Sequence, residues 1–429
     1  MTTIHLIPRS FPTFRLFSQL FQTRHGLSQV CSLSTHRELK PQSFPSTEFD
    51  QIDSSVILEE ETIPNYSPQK FYSVQIGDVF NQRYQTVGKL GYGASSTVWL
   101  CRDLMGHGYV TLKVYANISR ANRELLIYKH LETKESKHAG RQCVRMLLDS
   151  FEVTGPHGKH TCLIHQPLGM SLYELKMRAK GKVFSKDVLR PAIRQLLAAV
   201  DYLHKEAHII HTDLQPHNLL MGIDDKAVLY EYEKDELEYP VPRKVVDGRT
   251  IYLSRPLPFT FGPPVLCDLG EARLGDQEHD DDIMPDVYRA PEVIMGMKWG
   301  YKVDIWNVAM VVWDLFEPEY LFHARNSKGE YDNAHHIAQM IAVMGPPPPE
   351  FLKRSTNSIK YWDEDGNWRG LASIPEISLE KLEQRLTDDD KKAFLAFIKP
   401  MLSWMPEERP TAEEAIFDPW LLEDLYSAE

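Results

Sequence analysis

Asp213 and Asn218 stand five residues apart in the run His211-Thr212-Asp213-Leu214-Gln215-Pro216-His217-Asn218. A carboxylate can orient an attacking hydroxyl and a carboxamide oxygen can hold Mg²⁺, so this spacing fits the catalytic loop of a phosphoryl-transfer enzyme. Downstream, the apolar run Val265-Leu266-Cys267 ends in Asp268, with Gly270 two residues on. A carboxylate on a turn that can pivot would supply a second metal ligand. Upstream, Lys113 lies in Val110-Thr111-Leu112-Lys113-Val114, one strand after Gly91-Tyr92-Gly93. Backbone N–H groups of a glycine-rich hairpin can approach phosphates, and an apolar-flanked ammonium can hold them. A lone Gly-x-Gly is an ordinary hairpin; its spacing to Lys113 gives it weight.

These residues need elements to carry them. Tyr84 to Val114 reads as strands separated by turn signals, and Ser119 to Leu131 as a helix bearing Glu124, eleven residues beyond Lys113. A glutamate there can pair with the lysine and fix it on phosphates, with Glu132 and Glu135 as alternatives. Cys162 to Gln166 reads as a buried strand, and Pro167-Leu168-Gly169 as a hinge between a small β-rich lobe and a larger helical one. Leu189, Ile193, Leu196, Leu197 and Val200 then form one apolar face of a helix over Val188–His204, which feeds directly into the catalytic run. An acidic, proline-containing insert follows at about 223–264.

With 429 residues and 42% hydrophobic content, the chain can bury two lobes. A net charge of −12 argues against direct binding to nucleic acid and leaves room for a basic peptide partner. The five cysteines are scattered, without metal spacing, so a reduced compartment fits, and Cys267 reads as a small buried strand residue. No apolar run approaches the ~20 residues of a membrane span, so no membrane partner is expected. Residues 1–37 lack Asp and Glu, carry four arginines and place Phe14, Phe17 and Phe21 on one helical face. That composition fits either a mitochondrial transit peptide or a basic N-terminal extension. Residues 38–70, with Pro, Ser and Glu59-Glu60-Glu61, read as a linker before folded lobes at 71–166 and 167–424.

Tyr288-Arg289-Ala290-Pro291-Glu292, Asp304-Ile305-Trp306 and Arg409-Pro410 complete the ordered set of motifs. From Phe71 to Leu421 the chain resembles the eukaryotic protein kinases, and within them the SR-protein-specific kinases, notably fungal-type members. The resemblance rests on Ile76-Gly77-Asp78, Ser96-Thr97-Val98-Trp99-Leu100, His211-Thr212-Asp213 and Asp268-Leu269-Gly270. Tyr320-Leu321-Phe322, His336-Ile337-Ala338 and Pro400-Met401-Leu402 extend it. It implies an α+β bilobal protein kinase fold and a serine/threonine kinase using ATP and Mg²⁺ on a protein substrate, here one rich in Arg and Ser. Asp213 would accept the substrate hydroxyl proton, Asn218 and Asp268 would bind Mg²⁺, and Lys113 with Glu124 would hold the nucleotide. Gly91, Gly93 and Val98 would cover it, with Gln166 and Leu168 beside it at the hinge. His211 and Asp304 would tie the catalytic loop to a central helix, and Glu292 with Arg409 would form an ion pair. The family points to cytoplasm or nucleus, the N-terminal segment to the mitochondrion.

Thr212 stands where many kinases carry an arginine that meets a loop phosphate, and no Ser or Thr lies between Gly270 and Tyr288. Activity independent of loop phosphorylation is expected. Three departures bear on rate: Gln215 replaces a lysine that meets the transferring phosphate, Pro285 a threonine that bridges to it, and Ser95 the aromatic tip of the glycine loop. An amide stabilises a developing anion less than an ammonium does. Retained Lys113, Asp213, Asn218 and Asp268 favour a slow kinase; the alternative is a pseudokinase that binds nucleotide or basic peptide. Acidic residues 276, 278, 280, 281 and 282, with Glu330 and Asp332, favour an Arg-rich substrate, or are simply solvated loop charges.

Overall fold

In the computed structural model, residues 39–117 and 120–426 are described. The basic segment 1–37 lies outside them. A six-stranded antiparallel sheet builds the small lobe in the order β1-β2-β3-β4-β6-β5. Its strands are β1 (Val79–Phe80), β2 (Tyr84–Gly93), β3 (Ser96–Asp103), β4 (Gly108–Tyr115), β5 (Leu147–Gly155) and β6 (Gly158–His165). Alternation along β3 sends Trp99 and Cys101 into a cluster with Phe80, Leu112 and Ile164 on one face. Leu100 points to the other face, where it meets Val87. Helix α1 (Arg120–Glu132) packs Ile127, Tyr128 and Leu131 into the large-lobe core, so the lobes share one apolar seam.

The large lobe is helical: α2 (Leu172–Arg178), α3 (Lys186–Tyr202), α4 (Ala227–Glu238), α5 (Lys302–Phe316), α6 (Asn333–Met344), α7 (Asp388–Ile398) and α8 (Pro419–Tyr426). Helix α3 occupies the stretch expected from its apolar face. Helix α5 is buried around its circumference, with Trp306, Val308, Val311 and Leu315 completely so, which makes it the lobe's axis. The Arg409 guanidinium donates to both Glu292 oxygens at 2.7 Å, with both side chains at most 1% exposed.

One stretch differs from its sequence reading. In place of a linker, residues 39–70 run along the small lobe: Leu39 N donates to Leu104 O at 2.9 Å, Leu58 is buried, and Glu60 is sealed against Lys89 of β2. The acidic triplet had suggested solvent, but its counter-charge is a buried lysine. The insert at about 223–264 carries elements of its own. Past the short strands β7 (Ile209–Ile210) and β8 (Leu219–Gly222), α4 crosses to the small lobe, followed by a hairpin of β9 (Arg243–Val246) and β10 (Arg249–Tyr252). Tyr232 packs so closely on Gly88 that a Cβ there would lie 2.7 Å from its hydroxyl.

Candidate active site

The catalytic run is held from below by α5. Asp304, fully buried, accepts from His211 N and Thr212 N at 2.8 Å each, and its Oδ2 lies 2.8 Å from His204 Nε2. This carboxylate grip fixes Thr212 at φ 67°, a left-handed conformation that a β-branched residue adopts only when its surroundings enforce it. The Thr212 hydroxyl donates to Glu271 O at 2.7 Å, linking catalytic loop to activation segment where an arginine would otherwise reach for phosphate. His211 is kept neutral by burial, with a ring nitrogen 3.1 Å from Cys267 O.

Asp213 presents its carboxyl between two neutral amides. Gln215 Nε2 donates to Oδ1 at 2.8 Å, and Asn218 Nδ2 donates to Oδ2 and to the main-chain oxygen, each at 2.9 Å. Burial and the nearby Asp268 carboxylate push the Asp213 pKa up to about 7, against the pull of those amides. Since Asn218 spends its N–H groups on Asp213, its carboxamide oxygen is the atom left to accept a cation.

Across the cleft, Lys113 Nζ lies 2.9 Å from Glu124 Oε2 and 3.3 Å from Asp268 Oδ1. Glu132 and Glu135 are exposed on the far end of α1 and its loop, which leaves Glu124 as the partner. Tyr115 adds a hydroxyl to the same Glu124 oxygen. Burial works against the Lys113 ammonium, but Asp268 and Glu124 outweigh it and raise its pKa. Lys113 in turn lowers that of Asp268, so this group is a carboxylate at neutral pH. Asp268 itself sits at φ 63° with a side chain 48% exposed to the cleft.

Gly91, Gly93, Val98, Lys113, Glu124, Leu168, Asn218 and Asp268 line one cleft of about 320 Å³. Gln166 stands apart: its side chain is exposed in a neighbouring groove behind the hinge, while its carbonyl accepts from Arg145 at 2.8 Å. Pro167 bends the chain between the two residues, so the Gln166 side chain does not follow Leu168 into the cleft. Tyr128, Arg145 and His217 also line the cleft, and no spacing signal in the sequence marks them. Among the described residues no three His, Cys, Asp or Glu side chains gather as a metal cage. The side-chain oxygens of Asn218 and Asp268 would fit a Mg²⁺ ion that takes the rest of its shell from phosphate and water.

The activation segment is closed by its own side chains. Arg273 binds Asp281 at 2.5 Å, and Trp299 donates from its indole to Asp281 O at 2.9 Å while stacking on His279. Arg289 meets Asp282 at 3.2 Å and Asp286 at 3.3 Å, and the Tyr288 hydroxyl donates to Asp314 at 2.5 Å.

A protein kinase domain model matches residues 84–232 and 261–421, spanning both halves of this cleft. The chain belongs to the protein kinase family. It is 46% identical over 387 residues to a serine/threonine protein kinase of Aspergillus fumigatus, covering 89% of this chain and 95% of that one. It is 30% identical over 398 residues to the serine/threonine-protein kinase SRPK of Physarum polycephalum, covering 85% and 91%. Protein kinase dsk1 of Schizosaccharomyces pombe shares 26% over 477 residues, covering 87% and 88%. The crystal structure of a kinase domain superposes with a TM-score of 0.64 at 24% identity, covering 82% of this kinase and 99% of that chain, which supports the fold. This kinase is thus a protein serine/threonine kinase with SR-protein-kinase-type relatives.

Proposed function

We propose that this kinase transfers the γ-phosphate of ATP to serine in Arg/Ser-rich proteins, with Mg²⁺, and does so without phosphorylation of its activation segment. The convergence of Asn218, Asp268 and the formed Lys113–Glu124 pair on one cleft, with the Asp213 carboxylate hydrogen-bonded to Asn218, carries the reading. Asp213 receives the serine hydroxyl proton, Lys113 holds the nucleotide phosphates, and Gln215 and Asn218 keep the Asp213 carboxylate aimed. Asn218 and Asp268 would hold Mg²⁺, which neutralises phosphate charge when bound. The segment contacts of Arg273, Arg289 and Tyr288 supply with protein carboxylates what a loop phosphate supplies elsewhere.

The substrate class draws on the relatives' names together with charge. Asp281 and Asp282 are paired internally and Glu278 is bridged to Lys298 at 2.5 Å, which leaves Asp276 and Asp280 exposed to meet a basic peptide. The replacement of an ammonium by the Gln215 amide favours a second reading, a nucleotide-binding module of weak activity. Phosphatase-treated protein assayed on an Arg-Ser-rich peptide and on an acidic peptide tests the proposal. Turnover of the basic peptide alone, unchanged by phosphatase, is expected; activity that disappears with segment phosphate refutes phosphorylation independence.

A further inference from the structure

The kinase domain match breaks between residues 232 and 261, and there the chain returns to the small lobe. Val98 and Leu100 are two apart on β3 and therefore face the same side of the sheet, the side that covers the cleft. Insert residues cover the rest of that face: Leu229, Tyr232 and Leu257 cluster with Val87 and Leu100, and Leu90 packs against them.

Past β10, the return stretch is fixed at both ends. Ser254 N donates to Glu59 at 2.8 Å, and Arg255 N donates to Lys89 O at 2.9 Å, an oxygen that also accepts from the Tyr232 hydroxyl at 3.1 Å. At the other end Thr260 lies against Gly169 of the hinge, where a Cβ would fall 2.3 Å from its hydroxyl. Between these anchors Pro256 and Leu257 line the same cleft as Leu90, Gly91, Leu168 and Met170. Leu257 is 6% exposed, so its position is set before any ligand arrives.

We propose that Pro256 and Leu257 are nucleotide-binding residues: the insert forms the outer wall of the ATP site and sets nucleotide affinity there. This rests on the kinase reading above. An apolar wall already in place adds contact without an ordering cost, and Pro256 stiffens the backbone that carries it.

The full-length protein and its Leu257→Ala, Leu257→Met and Leu229→Ala variants, with folding checked by thermal melting, are titrated with Mg²⁺ and the fluorescent nucleotide mant-ADP. Leu257→Ala is expected to weaken binding roughly 10-fold, the scale of a lost apolar contact in a pocket. Leu257→Met, which conserves volume, should stay within about threefold. Leu229→Ala, which loosens the same cluster away from the cleft, should bind like wild type. Equal affinity of wild type and Leu257→Ala, or equal loss in Leu257→Ala and Leu229→Ala, would overturn the proposal. Hydrogen exchange of the wild type repeats the test without substitution. ADP should slow exchange of amides 255–262 along with those of the glycine loop, and protection of the glycine loop alone would overturn it. Wild-type protein that takes up no mant-ADP overturns the kinase reading itself, a result distinct from either failure above.

Discussion

Gln215→Lys is the substitution on which the chemistry of this site turns. Gln215 is half-buried, with Nε2 2.8 Å from Asp213 Oδ1, and every donor to the Asp213 carboxylate is a neutral amide. Lysine is one heavy atom longer, so its ammonium reaches past Asp213 toward the phosphate that is transferred. Removing one such donor costs about 10²–10³ in rate, or about 2.7–4 kcal/mol. Adding one to a site fitted to an amide should recover part of this, a gain in kcat of about 10-fold or more. The same cation should pull down the Asp213 pKa, now raised to about 7 by burial and Asp268. Asp213 must be ionised to accept a proton, so kcat/KM should fall as pH drops through about 7 in wild type and at lower pH in the variant. Steady-state kinetics on an Arg-Ser-rich peptide from pH 5.5 to about 8.5 reads both effects. An unchanged or lower kcat with an unmoved acid limb would refute the reasoning.

Arg409→Met strands Glu292 in the core and should cost about 3–5 kcal/mol in denaturant unfolding; a loss below about 1 kcal/mol would contradict the burial of this pair. Glu317 is 4% exposed, with Oε1 lacking a hydrogen-bond partner, and burial beside Glu383 raises its pKa from 4.5 to about 7. The folded state therefore holds this proton more tightly than the unfolded state, and stability falls as pH rises from 4.5 to about 7. At 1.36 kcal/mol per unit, Glu317→Gln should be more stable than wild type by up to about 3 kcal/mol at pH 8 and equal to it near pH 4; a pH-independent difference would count against it.

The pairings of Asp213 with Asn218 and of Lys113 with Glu124 were legible because the partners sit at short, fixed spacings. Helix α3 was legible because five apolar residues repeat on one face. The packed N-terminal stretch and the insert were not. Glu60 meets Lys89 and Tyr232 meets Lys89 O across sequence separations of 29 and 143 residues, which composition does not encode. The acidic triplet suggested a linker, while the fold neutralises Glu60 against Lys89; in the insert it pairs Glu233 and Glu236 with Arg102 and Arg255. The exposure of the Gln166 side chain behind the hinge was not legible either, since a bend at Pro167 breaks the alternation that assigns faces in a strand.

Phosphoryl transfer in the proposed function depends on Asp213 acting beside the cleft of Lys113, Asn218 and Asp268. Wild type and Asp213→Ala, compared for transfer of the γ-phosphate of ATP to an Arg-Ser-rich peptide, test it most directly. Wild-type transfer well above a background-level Asp213→Ala is predicted, with nucleotide binding retained in both. Equal background signal from the two proteins would contradict catalysis and leave a binding module.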